Sequence, residues 1–285
     1  REEGVQGMIG LRSLVLFRLL ILCSAGARGQ VAPRLRASHA NAKGITRRAA
    51  FLGSAAALSC PCCVGARENT AFAQVMAESP AMRDYELAVR DRKTALLANL
   101  ANVSPAAGQR STVVELGIGT GPNLKLYPEE VRKTAKVIGV EPNTAMNAYA
   151  RQAAADAGVR NLELVEASGE ELPMASGSVD AVVSTLTLCS VSSQEDVLQE
   201  IKRVLRPGGL FVFCEHVLSE DDAFLAKQQR SLDWLQEASA DGCHVVRRTR
   251  RTIEDAGFAS VSAEDFSVRG FWLISPHVAG VARTV

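Results

Sequence analysis

The chain has 285 residues, 47% hydrophobic, 5% aromatic and 22% charged, which is enough aliphatic material for one α/β domain and a leader. Its net charge of +1 hides an asymmetry, because residues 1–73 hold 10 Lys/Arg against 3 Asp/Glu while the remainder holds 22 against 28. An acidic body lacks the clustered cations that phosphate backbones demand, which argues against nucleic acid as a partner.

The first elements are address-like. Met8 reads as the initiator. Arg12 precedes an apolar run over 14–23, broken by Arg18, and small residues follow at 24–26, the order of a secretory signal. The run is too short and too interrupted for a transmembrane helix. Residues 28–48 are rich in Arg and Ala and carry no acid, as organelle transit peptides do. Thr46-Arg47-Arg48 then leads a second apolar run over 49–58, a twin-arginine pattern, and Ala71-Phe72-Ala73 supplies an A-x-A cleavage pattern. Three such segments in series resemble the tripartite leaders of lumenal proteins in algae with secondary plastids. That resemblance implies a plastid and its thylakoid lumen, with the secretory pathway or endoplasmic reticulum membrane as the alternative. The leader is thereby expected over 1–73 and the folded body over 80–285.

In the body, apolar residues at Tyr85, Leu87, Ala88, Leu96, Leu97 and Leu100 predict an amphipathic helix over 80–103. A β-branched run over 111–116 enters Gly117-Ile118-Gly119-Thr120-Gly121. A second strand over 136–140 ends on Glu141, an Ala-rich helix follows over 143–156, and Gly158 closes it. A third strand is expected over 162–165. The near-continuous apolar run over 178–188 reads as a strand covered on both faces. A helix over 194–205 stops at Pro207-Gly208-Gly209, and a fifth strand over 210–214 leads to Glu215-His216. Helices over 223–239 and 247–256 and strands over 260–266 and 271–281 complete the chain. Arg247, Arg248, Arg250 and Arg251 read as a solvated helix face. The alternation indicates one α/β domain with a mostly parallel sheet.

The chemistry lies after the first strand. A dinucleotide fingerprint needs G-x-G-x-x-G. Here the glycines stand at alternate positions, 117, 119 and 121, and an acid, Glu115, precedes them. Glycine lets a ligand approach the backbone closely, and an acid suits a cationic, amino-acid-bearing ligand rather than a pyrophosphate. No G-K-[ST] follows, so a P-loop is excluded. Glu141, 24 residues past Gly117, stands where an acid can accept both hydroxyls of a ribose. The three body cysteines, Cys189, Cys214 and Cys243, form no CxxC pair, so neither a disulfide framework nor a zinc site is expected.

Residues 114–121, Val140-Glu141-Pro142-Asn143, Glu170-Glu171-Leu172-Pro173, residues 179–183 and Leu205-Arg206-Pro207-Gly208-Gly209 resemble the motifs of class I methyltransferases, in the correct order. The resemblance implies a doubly wound, seven-stranded Rossmann-like α/β sheet, mostly parallel with an antiparallel last strand, and S-adenosyl-L-methionine as cofactor. It implies contacts from Glu115, Gly117, Gly119 and Gly121 to the amino-acid end, Glu141 to ribose, Ser168, Gly169 and Glu170 to adenine, and Thr185 beside the sulfonium. Residues 185–191, Glu215-His216-Val217, Asp241-Gly242-Cys243 and Pro276-His277-Val278 resemble the methyltransferase-like 7 family, whose animal members are membrane-associated thiol S-methyltransferases.

That narrower likeness implies a small-molecule methyl acceptor, a small thiol or other soft nucleophile, and leaves peripheral membrane association open. The chain carries no signal for an oligomeric state. His216, His277 and Cys189 are the acceptor-side candidates for catalysis, since each follows a strand at the carboxyl edge where open α/β sheets bind ligands. The alternative for each is a hydrogen-bonded or buried structural residue. Methylation of a plastid quinone or phenol, and a cofactor-binding protein without turnover, are the competing functions.

Overall fold

The expected alternation is built as one seven-stranded sheet with an apolar cluster on each face in the computed structural model, which describes residues 69–103, 105 and 108–285. The signal-like, transit-like and twin-arginine segments lie outside the described residues. Among the described residues no helix is long and apolar enough to cross a membrane.

The strands are β1 (Thr112–Leu116), β2 (Lys136–Val140), β3 (Leu162–Val165), β4 (Val179–Thr185), β5 (Leu205–His216), β6 (Ser260–Ser267) and β7 (Pro276–Arg283). They lie in the order β3-β2-β1-β4-β5-β7-β6. The first five are mutually parallel, and β7 runs antiparallel to both of its neighbours. Coverage on both faces explains the lack of polar alternation. Val113 and Val114 are adjacent and both buried, one in each cluster. The chain changes direction across the sheet between β1 and β4, and the crevice of such a fold opens there.

The helices are α1 (Thr70–Glu78), α2 (Pro80–Leu97), α3 (Glu129–Thr134), α4 (Asn147–Ala157), α5 (Gln194–Val204), α6 (Ala223–Ser239) and α7 (Thr249–Asp255). α5 shows how the sequence specifies one. Ser193 caps it by accepting the Asp196 N–H, acids fill its first turn and Lys202 and Arg203 its last, matching the helix dipole. Val197, Leu198, Ile201 and Val204 recur at helical spacing and are all buried against the sheet. Each contributes about 1.5–3 kcal/mol by leaving water.

Four departures from the sequence pattern have local causes. α1 was not marked by periodicity, yet Asn69 caps it through the Phe72 N–H (3.1 Å) and Ala73 is buried. The packed body therefore reaches back to Asn69, and the A-x-A pattern and the boundary expected at 73 fall inside this helix. β4 ends at Thr185 rather than 188, because Leu186 turns to φ 54°. β5 begins at Leu205 and crosses Pro207-Gly208-Gly209, with the register jumping from Val179 opposite Leu205 to Ala181 opposite Leu210. Arg206–Gly209 loop out as a bulge, the place where a sheet tolerates proline. The strand expected from 271 starts at Pro276 instead, after a 3₁₀ turn over Trp272–Ile274.

Of the arginine run only Arg250 and Arg251 lie on α7, and Arg247, half-buried ahead of it, donates to the Val191 carbonyl. Arg248 meets Glu220, Arg250 meets Glu254 and Asp265, and Arg251 meets Asp255.

Gly280 tests the closeness of β7 to its neighbours. A Cβ there would lie 2.2 Å from the Ser262 carbonyl oxygen and 2.7 Å from the Phe213 ring. Gly280→Ala is expected to destabilise the protein by about 1–3 kcal/mol or more, read as a lower denaturant midpoint. An unchanged midpoint would show that β6 and β7 are packed more loosely.

Candidate active site

A cavity of about 340 Å³ opens over the carboxyl ends of β1, β2 and β4. Its floor includes Gly117, Ile118, Gly119, Glu141 and Thr185, and its roof includes Phe72 and Met76 of α1 with Met82 and Glu86 of α2. That volume lies in the range of small-molecule sites.

The glycine loop is held tightly. Gly117 sits at φ 61°, and a Cβ on it would lie 2.3 Å from Thr187 Oγ1. Thr187 Oγ1 in turn donates to the Leu116 carbonyl (3.0 Å). Gly119, at φ 54°, has no neighbour closer than 3.9 Å to such a Cβ, so a side chain there would project into open space beside the cavity. Glu141 anchors the loop from the next strand. Its Oε2 accepts the Gly119 N–H (3.0 Å) and its Oε1 the Asn143 N–H (2.9 Å). Burial raises its pKa, and these two backbone donors oppose the rise. Each oxygen keeps a lone pair for a further donor.

Of the residues expected to meet the cofactor, Gly117, Gly119, Glu141, Ser168, Gly169, Glu170 and Thr185 all line this cavity. Glu115 and Gly121 do not. Glu115 is buried beneath the loop, where Oε1 accepts from Asn123 Nδ2 (2.7 Å) and Oε2 from the Tyr127 hydroxyl (2.6 Å). Its charge is therefore directed at Asn123 rather than at a ligand. Gly121 packs against Ala153 and Leu124 of the supporting layer.

Asn123 escaped the sequence reading, although it stands two residues past the last glycine. Its Nδ2 donates to both Glu115 and Thr185 Oγ1 (2.8 Å), which fixes the amide orientation. Its Oδ1 is left buried without a partner among the described residues, in a side chain that lines the cavity. An orphaned acceptor next to glycine amides is what a ligand carrying both an ammonium and a carboxylate requires.

The acceptor-side candidates lie one layer back, outside the cavity lining. His277 Nδ1–H donates to the Ser275 carbonyl (3.0 Å), so its Nε2 accepts the Tyr85 hydroxyl (2.8 Å). Burial lowers its pKa to about 4, and with both ring nitrogens engaged it offers an acceptor no free lone pair. His216 Nε2 lies 3.0 Å from Cys243 Sγ. The Cys189 thiol is pushed well above its ordinary value, by its hydrogen bond with Cys243 and by burial. Instead, the acceptor wall is shaped by the turn after β4. Glu215, fully buried, accepts from Ser184 Oγ (2.7 Å) and the Thr187 N–H (3.0 Å), and so presents Leu186 and Thr187 to the cavity. Opposite, Glu86 is paired through both oxygens with the buried Lys93 (2.9 and 3.1 Å).

This set fits S-adenosylmethionine: a carboxylate past the second strand end, a glycine loop whose backbone a ligand can approach closely, an unpaired amide oxygen, and Ser168–Glu170 along the wall. Residues 114–213 match the family model described as a methyltransferase domain. The "SAM-dependent methyltransferase, possible histamine N-methyltransferase" of Thermotoga maritima shares the fold, with a TM-score of 0.52 at 18% identity over 75% of this chain and 98% of that one. The chain is an S-adenosylmethionine-dependent methyltransferase of the Rossmann-like class.

Within that class the relatives are more specific. Human "Thiol S-methyltransferase TMT1A" is 36% identical over 70% of this chain and 80% of its own length. "Thiol S-methyltransferase TMT1B" of Rattus norvegicus is 36% identical over 75% of this chain and 86% of its own. The chain belongs to the TMT1 methyltransferase family.

Two outcomes follow from this geometry. Glu141→Gln keeps the shape but removes the charge, and is expected to weaken cofactor binding about 10–100-fold by calorimetry, as loss of a charge-assisted bond of about 1.5–3 kcal/mol implies. In the wild type, affinity should fall on acidification at a higher pH than an ordinary carboxylate would give, because the raised pKa brings protonation forward. Equal affinity for the two proteins at neutral pH would remove Glu141 from the site.

His277 gives a separate pH effect on stability. Unfolded, it takes up a proton below its ordinary value of 6.5, whereas folded it stays neutral down to about 4. Stability is thus intact above pH 6.5 and is lost as pH falls toward 4, by on the order of 3 kcal/mol from this group. His277→Asn should flatten that part of the stability–pH curve, and an unchanged slope would refute the assignment.

Proposed function

We propose that this methyltransferase transfers the cofactor's methyl group to a small thiol. The supporting observation is the 36% identity to two thiol S-methyltransferases over 70% and 75% of this chain. In the same reading Glu141 holds the ribose, Asn123 Oδ1 and the Gly117–Gly119 backbone hold the amino-acid end, and Ser168–Glu170 flank the adenine.

The acceptor chemistry agrees with the wall. Phe72, Met76, Met82 and Leu186 offer an apolar surface suited to an alkyl or aryl thiol. A thiol with a pKa near 8.5 is already a few per cent thiolate at neutral pH, so it needs no strong base. That matches a site whose nearby histidine, His277, has both ring nitrogens taken up by Tyr85 and Ser275. The bound cofactor supplies a methyl group on positively charged sulfur. The chain's residues hold donor and acceptor in line, and the roof from α1 and α2 keeps water out.

The test is mass detection of product from the full chain with labelled cofactor, an alkyl thiol, a phenol and a prenyl quinone. Methyl sulfide from the thiol alone is expected. Methylated phenol or quinone with no methyl sulfide would overturn the thiol assignment, and cofactor binding without any product would make this a binding protein.

A further inference from the structure

Three residues from separate acceptor-side motifs fall outside the cavity and yet meet one another. Cys189 lies in the loop after β4, His216 ends β5, and Cys243 follows the turn Asp241-Gly242 after α6. One donor atom from each lies within 4.8 Å of the other two. His216 Nε2 and Cys243 Sγ are 3.0 Å apart. All three side chains are buried, at 2%, 2% and 8% exposure respectively. The His244 N–H donates to the Cys189 carbonyl (2.9 Å), which ties the two cysteine-bearing segments together at the backbone. The lack of a CxxC pair had argued against a zinc site, because spacing along the chain does not show that β4, β5 and the post-α6 loop converge.

We infer that Cys189, His216 and Cys243 form a binding site for a single zinc ion. Zinc–sulfur and zinc–nitrogen bonds of about 2.3 and 2.0 Å set tetrahedral donor atoms about 3.5–3.8 Å apart, a separation this cluster reaches with small side-chain shifts. The donor set is soft, two sulfurs and an imidazole, which disfavours magnesium and calcium. Charge then selects among thiophilic ions. A divalent ion with two thiolates leaves the buried site neutral, whereas monovalent copper would leave a net negative charge in an apolar interior. Binding breaks two S–H bonds, forms two S–Zn bonds and one N–Zn bond, keeps one of the ion's own waters as the fourth ligand, and releases two protons to solvent. No electrons are transferred.

The location gives the ion a job. Leu186, Ser190 and Asp241, which flank the ligands in the chain, line the cofactor cavity. A zinc ion would clamp the two loops that form one wall of that cavity. The site stands independently of the acceptor's identity.

The experiment is metal analysis of the full chain purified under reducing conditions, followed by replacement with cobalt(II). We expect one equivalent of zinc, and with cobalt a thiolate charge-transfer band together with the intense visible bands of tetrahedral coordination. Cys189→Ser and Cys243→Ser should each weaken binding at least ~10-fold, while Cys214→Ser, equally buried but in the interior of β5, should not. Where a serine variant fails to fold, mass mapping of alkylated wild-type protein decides, since zinc should protect Cys189 and Cys243 and leave Cys214 unaffected. The proposal is overturned by reduced protein that takes up no metal, by cobalt bands that survive both serine substitutions, or by a Cys189–Cys243 disulfide in protein that stays metal-free after reduction.

Discussion

Burying a carboxylate is costly unless its oxygens are filled, and Glu115, at the end of β1, is only 1% exposed. Tyr127 fills one oxygen and Asn123 the other. Desolvation raises the pKa of Glu115 despite both bonds, a measure of how dry the position is. The consequence reaches the cavity, because an Asn123 amide that must donate to Glu115 and Thr185 can only turn its oxygen elsewhere. The buried charge thus converts a flexible amide into a fixed acceptor. Glu215 repeats the device at the end of β5, where Ser184 and the Thr187 N–H fill a carboxylate and thereby set the turn after β4.

That pattern explains why Glu115 was legible as important but not in its role. Its place before alternate glycines marks the ligand class correctly. A sequence, however, does not say which way a side chain at a strand end points, and the missing datum was a tyrosine twelve residues away. Glu141 was readable by its place, one residue past β2 and 24 past Gly117, and it does line the cavity. The glycine loop was readable because positive φ at Gly117 and Gly119 demands glycine.

The parts that were not legible depend on tertiary contact. α1 carries an exposed polar stripe of Thr70, Gln74 and Glu78 but is only nine residues long, and it is held by docking, with Asn69 paired to Asn143 in both directions (3.0 and 3.1 Å). The β5 bulge looks in sequence like a helix stop followed by a turn, which it also is. The acceptor-side histidines looked like bases because they stand at strand ends. In the fold they stand one layer behind, where Tyr85 and Cys243 take up Nε2 of each.

The donor and acceptor ends of the cavity are therefore built by different means, and one residue joins them. The donor end is fixed by the sheet and its two buried acids. The acceptor end borrows its roof from α1 and α2. Asn143 belongs to both: its backbone N–H holds Glu141 Oε1, while its side chain grips the backbone of Asn69 at the start of α1. Asn69 also donates to Asp241 (3.3 Å), across the cavity in the loop that carries Cys243. A displacement of the roof would then be transmitted through one asparagine to the Glu141 carboxylate. A chain cut at Ala73 would keep every glycine of the cofactor loop and lose the cap of α1, Phe72 from the roof, and the partner of Asn143.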